Sequence, residues 1–198
     1  MLKRFFDLIS SFAGLLFLSP VFLLIMLGIK IDSRGPVFFV QSRVGRKEKN
    51  FKLFKFRTMY MNAHRHGLIT IGKKDPRVTP FGYYLRKLKL DEFPQLINVL
   101  IGDMSIVGPR PEVRRHVELY SSEQMHVLDV RPGITSTASI EFVNENELLG
   151  KSSRPEHYYI NELMPRKLTM DLKYIQNRSF CRDIRIILAT LGRILKKQ

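Results

Sequence analysis

Two adjacent carboxylates, Asp91 and Glu92, head the stretch Leu90 to Glu112, which reads LDEFPQLINVLIGDMSIVGPRPE. A third acid, Asp103, and an arginine bracketed by prolines, Pro109-Arg110-Pro111, lie in the same stretch. Consecutive residues of a helix point about 100° apart, so the two acids cannot share one task. They divide it, one attacking while the other binds a metal ion or steers. Such a division suits phosphoryl transfer through an aspartyl phosphate, in which a carboxylate attacks phosphorus while a divalent cation and arginines neutralise the phosphate oxygens. A guanidinium on a backbone stiffened by proline on both sides is suited to meeting a phosphate in a fixed place. The structural reading stays open beside this one, because aspartate and glutamate are also what a helix start favours.

The elements that must position these groups follow from pattern. Phe93, Leu96, Ile97, Val99, Leu100 and Ile101, closed by Gly102, predict a short helix with both acids and Pro94 in its first turn. Met104 to Val107 predicts a buried strand, and Gly108 to Pro111 a stiff loop. Upstream, Pro36 to Gln41 and Phe51 to Arg57 predict a hairpin turning at Gly45, with Lys55 and Arg57 on one face, lining a site or simply solvated. Met61 to Arg77, which carries His64 and His66, has no period and reads as a loop. Thr79-Pro80 supplies an N-cap and a first-turn proline for a helix to about Leu88; if that helix continues through the acids, Arg86 stands within reach of a substrate phosphate.

Further on, Arg131-Pro132-Gly133-Ile134-Thr135 predicts a tight loop whose arginine serves either the turn or a phosphate. Glu112 to Val127 reads as helical scaffold, and residues 155–176 as a helix interrupted by Pro165. Glu141, Glu145 and Glu147 read best as surface charge, with contact to a ligand's hydroxyls as the alternative. Phe180 to Lys197 forms an amphipathic, basic last helix that suits a membrane surface or the domain core.

Phe5 to Ile31 is almost continuously apolar, long enough for a bilayer core that takes about 20 helical residues to cross. It is too long for a signal peptide, and no small-residue cleavage site follows. Pro20 removes a backbone hydrogen bond near the middle, and Ser19 is placed to satisfy the carbonyl set free, so a bend is expected there. Lys3 and Arg4 before the segment and Lys30, Arg34, Arg43, Arg46 and Lys47 after it ask both ends to stay cytoplasmic. A helix that dips in and returns meets both demands; a kinked span is the alternative. Asp7 is expected at the interface, paired with a basic side chain or solvated.

At 198 residues the chain suits one domain with an appendage. Its net charge of +15 asks for an anionic partner: nucleic acid, phospholipid head groups or a phosphorylated substrate. A lone cysteine, Cys181, excludes an internal disulfide framework, and the histidines, without a cysteine cluster, give no zinc pattern. The apolar N-terminus and the lack of a nucleic-acid motif argue against nucleic acid. A non-catalytic membrane scaffold stays open as an alternative to an enzyme.

Several ordered motifs carry a resemblance. Lys3-Arg4-Phe5-Phe6-Asp7, Ser19-Pro20, Lys55-Phe56-Arg57-Thr58-Met59, Arg86 to Glu92, Pro94-Gln95-Leu96, Asn98-Val99-Leu100, Gly102 to Ser105, Val107 to Pro111 and Val130 to Thr135 together resemble the bacterial sugar transferase family. Its small members are the monotopic phosphoglycosyl transferases, and the resemblance covers nearly the whole chain. It implies an α+β fold, with a re-entrant membrane helix over residues 1–34 broken at Ser19-Pro20. A compact, mainly helical cytosolic domain over residues 35–198 would carry a small β-hairpin and amphipathic interfacial helices.

The implied reaction moves a phosphosugar from a UDP-sugar to polyprenyl (undecaprenyl) phosphate, releasing UMP. It would run on the cytoplasmic face of the bacterial inner membrane, among phospholipids, with Mg2+ as cofactor. By the same resemblance Asp91 attacks phosphorus and Glu92 partners it for metal or orientation. Asp103 is a weaker metal ligand, and Arg86, Arg110 and Arg131 bind phosphate. Gln41, Arg43, Gly45 and the Lys55 to Met59 motif border the site. The chain departs from the common family pattern at Ser136-Thr137-Ala138-Ser139 and the Ile140 to Glu145 run after it, which bears on the sugar or the nucleotide of the donor. The oligomeric state stays open, a homodimer included.

Overall fold

The computed structural model describes residues 2–61, 63 and 75–196. His64, His66 and most of the Met61 to Arg77 loop, with Lys197, fall outside the described residues. Helices dominate, with two small sheets, and one long apolar helix opens the chain.

That helix, α1 (Leu2–Asp32), is long and apolar enough to cross a membrane, and its helical residues run without a gap through Ser19-Pro20. The Ser19 hydroxyl donates to the Leu16 carbonyl at 2.7 Å, the acceptor that Pro20 cannot serve, so the carbonyl set free keeps a donor as expected. Phe22, Ile25 and Ile29 pack into a core with Phe56 and Leu85, whereas Phe17 (79% exposed) and Ile31 (78%) belong to an uncovered apolar face.

The charged start of α1 is tied down. Lys3 donates to the Val107 carbonyl and pairs with Asp183 at 2.6 Å. Arg4 donates to the carbonyls of Val99 and Leu100. Asp7 is buried and accepts the Ile106 backbone N–H at 3.0 Å, a backbone role in place of the expected interfacial one.

Strands β1 (Phe38–Val44) and β2 (Asn50–Phe56) form the expected antiparallel hairpin, Phe39 facing Lys55 and Gln41 facing Leu53. Helix α2 (Pro80–Lys87) starts on the expected cap, the Thr79 hydroxyl accepting from the Gly82 N–H. Gly82 lies against the backbone of Thr58, where a Cβ would meet the carbonyl oxygen at 2.3 Å, so glycine lets α2 close onto the end of the hairpin.

Helix α3 (Gln95–Ile101) ends at Gly102, whose φ of +100° is the left-handed cap the sequence anticipates. Asn98, fully buried, accepts from Phe54 N–H and donates to the Lys52 carbonyl, stapling α3 to the edge of β2. Strand β3 (Ser105–Val107) follows, and β4 (Gly133–Thr135) pairs with it in parallel. The segment expected as a tight loop is therefore half strand: Gly108 and Gly133 leave room for two backbones separated in sequence to approach.

The expected Glu112 to Val127 helix reduces to one turn, α4 (Arg114–Val117), and a 3-10 stretch over Gln124–Asp129. Helices α5 (Thr137–Glu141), α6 (Glu145–Lys151), α7 (Pro155–Tyr158) and α8 (Met164–Gln176) complete the scaffold. A π turn at Tyr159–Leu163 joins α7 to α8 without a break in helical backbone, so residues 155–176 are helical as expected and the interruption is the wide turn just before Pro165. The last helix, α9 (Phe180–Lys196), buries Ile186 beside Val107 and Tyr174 and exposes Leu188 and Leu191.

Candidate active site

Asp91 and Glu92 do not stand in the first turn of α3. They occupy a 3-10 turn, Leu90–Glu92, in the break between α2 and α3, entered through Lys89 at φ +59°. That left-handed conformation is uncommon for a lysine and costs on the order of 1 kcal/mol. Helix α2 ends at Lys87, so it does not run through the acids; Arg86 reaches them from its last turn.

The two acids are treated unequally. Glu92 accepts from Lys55 at 2.9 Å and, through both oxygens, from Arg110 at 2.6 and 3.2 Å. Burial alone would raise its pKa, but Arg110 and Lys55 outweigh burial and hold it well below the carboxylate range. Asp91, also buried, accepts no hydrogen bond from any described residue. Burial and the Glu92 charge push its carboxyl above the ordinary range, against Lys55, Arg86 and Lys89. One acid is clamped and the other left open.

The cations are held in turn. Arg86 donates to the Thr58 hydroxyl at 2.8 Å, and burial lowers its pKa. Lys55 is likewise lowered by burial, although Glu92 opposes this. Arg110 is raised by Glu92. Its loop is fastened through Glu112, which accepts from Arg43 at 3.0 Å and from the Tyr159 hydroxyl, while the Glu112 carbonyl takes the Val44 N–H. The prolines on either side have no N–H to give.

Two cavities meet at this turn. One, of about 220 Å³, is lined by Lys55, Arg86, Lys89, Asp91, Glu92 and Arg110, and on its far wall by Ser139, Phe142, Glu145, Asn146 and Lys167. The other, of about 420 Å³, runs along the hairpin past Phe38, Phe39, Val40, Met59 and Tyr60. Asp91, Lys55 and Arg86 line both. A buried, unclamped carboxylate among cations is an arrangement for a nucleophile that meets an anionic electrophile.

Other expected site residues lie elsewhere. Arg131 donates to the Gly102 carbonyl at 2.8 Å and caps α3 at the end away from the acids. Arg57 follows β2 with its N–H still on the Val37 carbonyl and shares the larger cavity with Lys55, but its guanidinium is engaged elsewhere. It caps α1 through the carbonyls of Ile29, Ser33 and Arg34, although it lines the larger cavity. Asp103 sits beyond α3, a helix of roughly 10 Å at 1.5 Å per residue, and lines neither cavity. The metal set of Asp91, Glu92 and Asp103 is therefore not assembled, and among the described residues no group of three ligating side chains forms.

Glu145, expected as surface charge, faces the polar cavity paired with Lys167 at 2.8 Å. Sequence reasoning missed Lys89, Asn146 and Lys167, while the departure that begins at Ser136 and the acids after it pointed toward the wall that carries Ser139, Phe142 and Glu145.

Comparison with known proteins matches residues 1–197 to the model of the family described as bacterial sugar transferase. The chain is 36% identical over 98% of its length to the UDP-N-acetylgalactosamine-undecaprenyl-phosphate N-acetylgalactosaminephosphotransferase of Aeromonas hydrophila, covering 44% of that protein. It is 40% identical over 96% of its length to the undecaprenyl-phosphate glucose phosphotransferase of Komagataeibacter xylinus, covering 35% of it. To the exopolysaccharide production protein PSS of Rhizobium leguminosarum bv. phaseoli it is 39% identical over 96% of its length, covering 93% of that relative. It thus spans less than half of the first two relatives and nearly all of the third. With its motifs matched from end to end and its acid pair set among phosphate-seeking cations, the chain belongs to the bacterial sugar transferase family.

Proposed function

We propose that this protein is a phosphoglycosyl transferase that moves a phosphosugar from a UDP-sugar to a polyprenyl phosphate and releases UMP. The observation that carries it is Asp91: buried, unclamped, ringed by Lys55, Arg86 and Lys89, and lining a polar and an apolar-walled cavity at once. An Oδ of Asp91 attacks the sugar-bearing phosphorus, the bond to the bridging oxygen breaks, and UMP leaves with that electron pair. An oxygen of the lipid phosphate then attacks the same phosphorus, the bond to Asp91 breaks, and the carboxylate is regenerated. Lys55, Arg86 and Arg110 neutralise charge on the phosphate oxygens, while Glu92 keeps Lys55 and Arg110 in place. The raised pKa of Asp91 makes its ionised form a better nucleophile at neutral pH than an ordinary carboxylate.

Asp91 offers the hard oxygens that Mg2+ takes, whereas both oxygens of Glu92 are engaged by Lys55 and Arg110, and this ion usually completes its shell with water and substrate phosphate. The site therefore fits an ion that would arrive with a diphosphate, not an all-protein cage. When bound, the ion would supply further charge neutralisation at the phosphates.

The proposed setting is the cytoplasmic face of the bacterial inner membrane, with α1 entering the lipid and returning. Both ends of α1 are fastened to the same domain, Lys3 and Arg4 to β3 and α3, the last turn to Arg57, while its apolar outer face is uncovered. A helix crossing a hydrocarbon core of about 30 Å would part those ends. Incubating the protein with single UDP-sugars, polyprenyl phosphate and Mg2+ tests the reaction. UMP release with at least one donor, abolished by a chelator, is expected; no release from any donor contradicts it.

A further inference from the structure

We propose, resting on the reaction above, that the two cavities meeting at Asp91 hold different parts of the substrates. The polar cavity keeps the sugar through the whole cycle. The larger cavity takes the nucleotide first and the polyprenyl phosphate after it.

Size and lining divide the two. At about 220 Å³ the polar cavity lies below the ~300–1,000 Å³ typical of pockets that enclose a whole drug-sized ligand, so it suits a hexose without its nucleotide. Its far wall offers the ring of Phe142 to an apolar sugar face, with Asn146 and Ser139 to read hydroxyls. The larger cavity presents Phe38, Phe39 and Val40 of β1, all three exposed, and lies beside the end of α1, where the apolar face of the membrane helix is uncovered. That is a wall for a nucleobase or for the first isoprene units.

In-line displacement then orders the traffic. In the first step Asp91 enters opposite the departing UMP oxygen; in the second the lipid phosphate oxygen enters opposite Asp91. The acceptor therefore takes the place UMP vacated, while the sugar, on an oxygen that neither bond change touches, stays where it is. Donor choice is accordingly read by the α5–α6 wall and acceptor binding by the hairpin.

The test compares Asn146→Ala and Phe142→Leu with Phe39→Ala and Val40→Ala, all in the full chain with a panel of UDP-sugars and polyprenyl phosphate. The first two should shift the kcat/KM ratio between UDP-sugars by about tenfold or more, with KM for polyprenyl phosphate unchanged. The hairpin variants should raise that KM and the UMP inhibition constant together, leaving the sugar ranking alone. In the unaltered protein UMP should compete with polyprenyl phosphate. An unmoved ranking in both wall variants, a hairpin variant that weakens only one ligand, or noncompetitive inhibition by UMP overturns the partition while UMP release still stands. Loss of UMP release from every donor in the unaltered protein would instead overturn the reaction itself.

Discussion

Where α1 docks, charged side chains end on fixed partners: Lys3 on Asp183 and Val107, Arg4 on the last carbonyls of α3, Asp7 on Ile106, Arg57 on the last carbonyls of α1. At the Leu90–Glu92 turn the balance differs. Lys55, Arg86, Lys89 and Arg110 surround two acids, and the one that accepts no hydrogen bond from a described residue faces both cavities. The first region uses charge to complete helix and strand ends, which stabilises the fold whatever is bound. The second keeps a surplus of positive charge around an open carboxylate, which is favourable only when phosphates arrive.

Substitutions break or sharpen this contrast. Asp91→Asn should lower turnover by about 10³-fold or more with the fold intact, because the nucleophile itself is removed. Activity within tenfold of the unaltered protein would place the chemistry elsewhere. The two rigidly placed arginines make a sharper pair. Arg110→Ala should cost about 10²-fold in kcat/KM, whereas Arg131→Ala, which only uncaps α3, should leave kcat/KM near its starting value and lower stability by about 1 kcal/mol. Equal kinetic losses in both would return Arg131 to the site.

Asn98→Ala removes the staple between α3 and β2 and leaves a buried N–H and carbonyl unpaired, so denaturant melts should show about 2–3 kcal/mol of lost stability. The smallest effect concerns Asp171, whose pKa burial pushes up to about 7. An aspartate in the unfolded chain titrates near ~3.9, so between those values the folded state holds a proton that the unfolded state has released. Stability therefore falls as pH rises from about 4 through about 7 and levels off above. Asp171→Asn removes that fall, and its melting temperature should gain a few degrees on the unaltered protein between about pH 6 and about pH 8. Parallel pH curves would show that the group does not titrate there.

The parts legible in sequence were those written in local pattern. The hairpin, the Thr79-Pro80 start of α2, the Gly102 cap and the Ser19 compensation for Pro20 each depend on residues within a few positions of one another. Asp91, Glu92, Lys55, Arg86 and Arg110 also come together as read. What escaped was long-range. Arg131 and Arg110 each adjoin proline, and only tertiary structure sends one to Gly102 and the other to Glu92. Lys55 and Arg57 share strand parity and one cavity, but the Arg57 guanidinium turns to the carbonyls at the end of α1. Asp103 looked near Glu92 in sequence, and α3 carries it away. Lys167 reaches the cavity through Glu145 from α8, a pairing no local pattern encodes.

The most direct measurement is the intact mass of protein quenched after incubation with its UDP-sugar and Mg2+ and no lipid acceptor. The account predicts an added phosphosugar, localised to the peptide carrying Asp91 and discharged when polyprenyl phosphate is supplied. A protein that never gains this mass, and that releases UMP only when both substrates are present, would contradict it.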